Sequence, residues 1–272
     1  EKGLRVTGLV DSAKSFFLSS LIGKIKKRII YIQSVTSSFA RFEEQCQFFF
    51  SQLSLSLALE SLPPLSDNPY QEISPSLNSI SQRMKFFYSL IHHPPSLIIT
   101  NLFGLLKPFP SPQNIKQFFL ELEKGQLFER DNLLKILNEY GYAGEDLIAS
   151  PGECAWRGGI VDVFSPWQAF PFRIEFSGDE ISSLREFDPS SQRSQKRLDR
   201  LIIPSLREFP SSSQFIKEWE EIALKRASSF EKDSTEKINC LKREEFFPSF
   251  VFLSLLHREH FVPFTHYLND SL

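Results

Sequence analysis

Cysteine is scarce and poorly placed for cross-linking. Cys46, Cys154 and Cys240 are odd in number, far apart and form no CxxC pair. Neither a disulfide framework nor a zinc site is implied, and a reducing compartment is expected. The histidines do no better as ligands: His92 and His93 are adjacent, and His257, His260 and His266 lack HExxH spacing. No metal and no cofactor is therefore expected. No apolar run approaches the roughly 18 residues that span a bilayer, and the amino-terminal residues lack the charged and apolar regions of a signal peptide. This excludes a membrane partner on sequence grounds and makes a cytoplasmic location the expectation. Methionine occurs once, at Met84, in a chain that begins with Glu1, as expected of a piece of a longer protein.

Neither sign of charge dominates the 272 residues, whose net charge is −2. The distribution is uneven. Residues 1–115 carry 11 Lys+Arg against 7 Asp+Glu, residues 116–190 carry 7 against 14, and residues 191–272 carry 13 against 12. Phosphate binding needs clustered cations, so the acidic middle is a poor nucleic-acid surface and a better protein-binding one. The basic stretch KIKKR, Lys24 to Arg28, reads as a solvated helix end, with DNA binding as its alternative.

The first third alternates strand and helix patterns. RVTGLV, RIIYIQS and SLIITN read as strands. SAKSFFLSSLIGKIKK, SSFARFEEQCQFFFSQ and SLNSISQRMKFFYSLIHH read as amphipathic helices. That order predicts an α/β domain on a parallel sheet. The stretch ESLPPLSDNPYQEISPS is loop, and LLKPFPSPQN, with three prolines, marks a domain boundary. Then the pattern changes. QFFLELEKGQ alternates, RDNLLKILNEYG is a helix closed by Gly141, and GECAWRG, GIVDVFS, FPFRIEFSG and EISSLREFD are strand-like. A small antiparallel sheet with one helix is expected. The strand RLIIP and a helix around FIKEWEEIALKRASSF then return to the larger body. The expected fold is thus α/β: a parallel-sheet domain over 1–115, an inserted α+β domain over 116–192, and the continuation of the α/β body over 193–272.

The stretch GLVDSAKS, Gly8 to Ser15, has the spacing of a phosphate-binding loop. Such a loop needs a second glycine so that backbone N–H groups can close on the phosphates. Ala13 stands there instead, and Asp11 adds a carboxylate. At about 4 Å from a phosphate that charge costs on the order of 4 kcal/mol at an effective dielectric near 20. Gly8, Asp11, Ala13, Lys14 and Ser15 are read as an inactive loop. The plainer description is a helix start capped by Asp11 or Ser12.

The long segment GECAWRGGIVDVFSPWQAFPFRIEFSGDEISSLREFDPSSQRS carries G-E-x-x-x-R-G-G-I-x-D-x-F, P-x-R-I-E-F-x-G-D-E-I and R-x-F-D-P-x-x-Q-R-S. It closely resembles the N-terminal module of the bacterial transcription-repair coupling factors (Mfd) and, more distantly, the excinuclease subunit UvrB. GLVDSAKS, LESLPP, SPSLNSISQRMKFFYSL and LIITN follow in family order; from about residue 210 the likeness fades. The resemblance implies a degenerate P-loop (RecA-like) domain without catalytic residues, and an inserted domain that docks on UvrA. The full-length protein would be an ATP-dependent DNA translocase that meets RNA polymerase and DNA through parts absent here. The alternative it leaves is a UvrB-like helicase fragment with a working loop.

By the same resemblance Arg157 of the R-G-G turn and Arg173 of the P-x-R-I-E-F strand pair with acidic groups on UvrA. Ser177 stands where the family has an aromatic, with Glu180 after it, and Trp167 or Phe170 are candidate substitutes for that ring. Strand periodicity puts Arg173, Glu175 and Ser177 on one face and Ile174 and Phe176 on the other. Glu175 is expected to steady Arg173. Arg157 projects from a turn made by Gly158 and Gly159. The competing possibility is that either arginine pairs internally with Asp162 or Glu175.

Overall fold

A computed structural model describes residues 6–25, 27–64, 75–106, 109–208, 216–218, 221, 239–240 and 261–267. The helix expected over 215–230 lies largely outside them, as do His257 and His260. The chain divides into two compact units: Glu1–Leu65 with Lys85–Lys107, and Ser66–Met84 with Pro108–Leu272. Among the described residues no helix is long and apolar enough to cross a membrane, and no group of three or more His, Cys, Asp or Glu is placed to hold a metal ion.

The first unit is built from helix α1 (Asp11–Ile25), strand β1 (Ile29–Gln33), helix α2 (Phe39–Gln52), strand β2 (Leu59–Leu62), part of helix α3 (Leu77–His92), strand β3 (Leu97–Asn101) and the short helix α4 (Leu102–Leu106). Its sheet is parallel, in the order β1-β3-β2. The middle strand is buried at all five positions, which is why LIITN reads as an apolar run without alternation. Phe42, Cys46 and Phe50, four apart on α2, present one face to Leu97 and Ile99, and Ile22 of α1 joins them. Ser38 caps α2, its hydroxyl accepting from the Arg41 N–H. Each buried large apolar side chain in this cluster contributes roughly 1.5–3 kcal/mol.

The strand expected over RVTGLV does not form in Val6–Val10, which is irregular. Gly8 takes φ +80, outside the extended region, and Val6 and Val10 stay exposed. Without burial the valines have nothing to hold them in a ladder.

The second unit holds strand β4 (Phe109–Pro110), helix α5 (Pro112–Ile115), strand β5 (Phe119–Glu123), helix α6 (Arg130–Tyr140) and strands β6 (Ala143–Gly144), β7 (Glu153–Arg157), β8 (Ile160–Val163), β9 (Phe172–Ser177), β10 (Glu180–Phe187), β11 (Ser194–Leu198), β12 (Arg200–Pro204) and β13 (Phe261–Val262). Six strands form one sheet in the order β11-β10-β9-β8-β7-β6, antiparallel except for β6 with β7. β12 pairs with β5, and β13 with β4. The sheet and its flanking pair thus run on past residue 192.

Alternation divides the large sheet into two faces. Val161, Val163, Phe172, Ile174, Ile181 and Leu184 form a core with Leu133 and Leu137 of α6. α6 stops at Gly141, whose φ of +90 lets its N–H turn back to the Asn138 carbonyl. Elsewhere in this unit Arg83 is 1% exposed and gripped by Glu208 in a buried ion pair. The opposite face of the six-stranded sheet is polar over most of its width.

Candidate functional site

The register of β7 to β11 decides what that polar face presents. Residues directly opposite across strands share a face. Asp162 of β8 faces Arg173 of β9, Arg173 faces Arg185 of β10, and Arg185 faces Arg197 of β11. One rung therefore carries a carboxylate and three arginines. The next rung toward the β7–β8 turn carries Arg157, Ile160, Glu175 and Ser183.

Arg173 is not a free cation. Its Nε and Nη2 donate to the two Asp162 carboxylate oxygens at 2.8 and 2.7 Å, and Nη2 also donates to Gln192 Oε1 at 2.9 Å. The guanidinium lies over the Phe187 ring, 4.3 Å from its centroid. The hydrogen bond with Asp162 raises the arginine above its ordinary pKa, against the opposing effect of burial. The bidentate geometry is the one a planar guanidinium favours with a carboxylate.

Glu175 does not steady Arg173. It pairs instead with Nη2 of Arg185. The reason is register: Asp162 sits directly across from Arg173, whereas Glu175 is two residues along the same strand and reaches the neighbouring arginine diagonally.

Gln192 owes its place to the DPSSQ loop. Asp188 accepts the Ser190 N–H, the Gln192 N–H donates to the Asp188 carbonyl, and Gln192 takes φ +58. The hydrogen bond from Ser190 holds the Asp188 carboxyl below its ordinary pKa. The D-P-x-x-Q run was the sequence signal for this role, which period-two reasoning on strands does not reach.

Arg157 is exposed at the end of β7, where Nη2 donates to the Asp146 carbonyl at 2.8 Å. The turn beside it is built for two glycines. Gly158 has φ +56, and a Cβ on Gly159 would lie 3.0 Å from the Phe176 carbonyl oxygen. Arg130, at the start of α6, donates from Nη1 to the Gly158 carbonyl while Nε and Nη2 hold Asp131. No sequence pattern pointed to Arg130, because this bond joins residues 28 apart.

Arg157 and Arg173 meet at one open pocket of about 220 Å³, lined also by Asp146, Trp156, Asp162 and Gln192. Trp156 is 50% exposed and packs over Gly144. Ser177 and Glu180 are paired at the far tip of the β9–β10 hairpin, both exposed, with Gly178 at φ +62 in the turn between them. Trp167 does not stand in for a ring at that tip. It precedes the other end of β9, where it packs on Phe119 and its Nε1 donates to the Ser81 carbonyl. Phe170 lies on the same side of the strand, in the segment before Phe172.

In the first unit, Gly8 to Ser15 are a short irregular segment and the first turn of α1. The cap expected from Asp11 or Ser12 is displaced: the Lys14 N–H donates to the Val10 carbonyl, so Asp11 is already helical. Asp11 instead favours the helix dipole from the first turn. Lys14 Nζ lies 3.3 Å from the Asp11 carboxylate. Ser15 is fully buried, its hydroxyl bonded to the Ser12 carbonyl and to Gln45 Oε1. Ala13 is half-buried. Of KIKKR, Lys24, Lys27 and Arg28 are exposed, and Lys26 lies outside the described residues.

Residues 120–209 match the family model of the UvrB interaction domain. The transcription-repair-coupling factor of Escherichia coli (strain K12) is 29% identical over 203 residues, 73% of this chain and 17% of that protein. That of Staphylococcus aureus is 26% identical over 256 residues, 94% of this chain and 21% of that protein. The UvrABC system protein B of Kosmotoga olearia is 25% identical over 220 residues, 77% of this chain and 33% of that protein. The chain thus spans about a fifth or less of the coupling factors it matches. It is thus similar to the UvrB interaction domain over residues 120–209 and to the bacterial transcription-repair coupling factors over most of its length.

Proposed function

We propose that the chain is a non-catalytic recruitment module of a transcription-repair coupling factor, and that it docks UvrA through the polar face of its six-stranded sheet. Contacts with RNA polymerase and DNA then belong to parts of the full-length protein outside this chain. The observation that carries the reading is the convergence of Arg157 and Arg173 on one pocket. Among the described residues Arg157 makes a single bond, to a backbone carbonyl, which leaves Nε and Nη1 for a partner. Arg173 is held in a fixed pose by Asp162 and Gln192, with Nη1 making no hydrogen bond among the described residues. Two oriented guanidinium groups at one opening suit carboxylates on another protein. Ser177 and Glu180 would lie at the edge of the same contact.

The non-catalytic part of the reading is supported in the first unit. The Lys14 ammonium is engaged by Asp11, and the Ser15 hydroxyl that would hold Mg²⁺ is buried against Gln45. Mg-ATP at a hundredfold excess over the Kd of a working site would stabilise the protein by about 2.7 kcal/mol; no thermal shift is expected.

The test is capture of purified UvrA by the chain. Arg157→Glu should weaken the complex at least about tenfold, or roughly 1.4 kcal/mol, with the fold unchanged because Arg157 is exposed. No complex with the unaltered chain, or equal affinity after Arg157→Glu, would refute the proposal.

A further inference from the structure

We infer that the partner contact extends along the arginine rung to the sheet's edge strand, where Arg197 binds a carboxylate of the same acidic partner surface. This rests on the docking reading above and names residues beyond the pocket.

Arg173, Arg185 and Arg197 are direct neighbours on β9, β10 and β11, with strands about 4.8 Å apart. Like charges directly opposite one another destabilise a sheet. The chain relieves the first two: Asp162 grips Arg173, and Glu175 pairs with Arg185. Arg197 is exposed and has no ion pair among the described residues. Leu184 opposes Leu198, and both pack on the core beneath α6, so Arg197 points to the polar face with Arg185.

On that face Arg157, Arg173, Arg185 and Arg197 stand against Asp162, Glu175, Glu153 and Glu180, so the charges balance overall. Arg197 is the member of the arginine rung that the balance leaves without an ion pair among the described residues. Among the described residues β11 is the edge of the sheet, paired with β10 alone, so no described strand covers this end of the rung. Two of the arginines already pair with carboxylates, Arg173 through Nε and Nη2 and Arg185 through Nη2. Carboxylates are thus the ligand that the arginines of this rung already take.

Lys196 supplies an internal control. It neighbours Arg197 on β11 and is exposed, but it opposes Glu186 and so belongs to the other face. Arg197→Glu and Lys196→Glu make the same change in net charge one residue apart, on opposite sides of the sheet.

The experiment measures UvrA binding to the full chain by titration calorimetry at two salt concentrations, for the unaltered protein, Arg157→Glu, Arg197→Glu and Lys196→Glu. Parallel titrations use a fluorescent DNA duplex. Expected is a loss of about tenfold for Arg197→Glu, with a shallower salt dependence, and a change within about twofold for Lys196→Glu. If Arg157→Glu weakens UvrA binding while Arg197→Glu behaves like Lys196→Glu, the extended contact is wrong and the docking reading stands. If the unaltered chain forms no complex, or Arg157→Glu binds undiminished, both fall. Loss of duplex binding by Arg197→Glu with UvrA binding intact would make the rung a phosphate site and overturn the inference.

Discussion

Replacing Arg173 by alanine tests the arrangement most directly, because the structure makes this arginine a stability element as well as a contact. The side chains of Arg173 and Asp162 are 19% and 12% exposed. An exposed ion pair contributes only about 0–1 kcal/mol, whereas breaking a buried pair costs about 3–5 kcal/mol because the remaining charge is stranded. This pair lies between those limits. Its bidentate hydrogen bonds and the Phe187 ring under the guanidinium place the expected loss for Arg173→Ala at about 2–3 kcal/mol. Arg173→Lys keeps the charge but not the fork, and should recover less than half of that loss. The assay is urea unfolding of the full chain followed by tryptophan fluorescence, since Trp156 and Trp167 both lie in this unit. A double-mutant cycle with Asp162→Ala should give a coupling of at least about 1 kcal/mol. A loss below about 0.5 kcal/mol with no coupling would refute the reasoning. The result also bears on binding: weakened capture of a partner by an Arg173 variant mixes lost contact with a loosened strand pair, which is why Arg157 is the cleaner probe.

Further expectations concern the turn and the buried titratable groups. Gly158→Ala should cost about 1 kcal/mol, the strain of an L-residue at positive φ in open space; Gly159→Ala should cost more, because its Cβ would press on the Phe176 backbone, and the same urea titration ranks the two. Burial raises the pKa of Glu60 despite the hydrogen bond donated by Ser89. With the folded-state value above the unfolded one, its contribution is complete below the unfolded pKa and is lost as pH rises through the folded one. Glu60→Gln should therefore melt higher than the unaltered chain at pH 7, with the difference closing near pH 4. Burial pushes the thiols of Cys46 and Cys154 up to about 12 and about 11. Neither should react with iodoacetamide at pH 8 in the native protein, as read by peptide mass spectrometry; alkylation at the rate of an unfolded control would contradict their burial.

The parallel sheet of the first unit was legible because its signal is local. A buried middle strand such as LIITN must be apolar throughout, and α2 repeats its large residues every four positions. RVTGLV misled for the complementary reason: its apolar letters match a strand, but Gly8 and the lack of a covering surface leave them outside the ladder. In the second unit, alternation assigned Arg173, Glu175 and Phe176 to their faces, and the paired glycines announced the turn beside Arg157.

Pattern along one strand could not say which acid would meet which arginine. That choice depends on register between strands: Asp162 across from Arg173, Glu175 diagonal to Arg185, and Arg197 beyond them at the sheet edge. Contacts between residues distant in sequence, such as Arg130 with the Gly158 carbonyl, leave no periodic trace. Periodicity encodes which face a side chain occupies, since it follows from backbone geometry within one element. Partners across elements are set only when the strands pair and the loops close, and there the separation of two charges in space, rather than in sequence, decides the interaction.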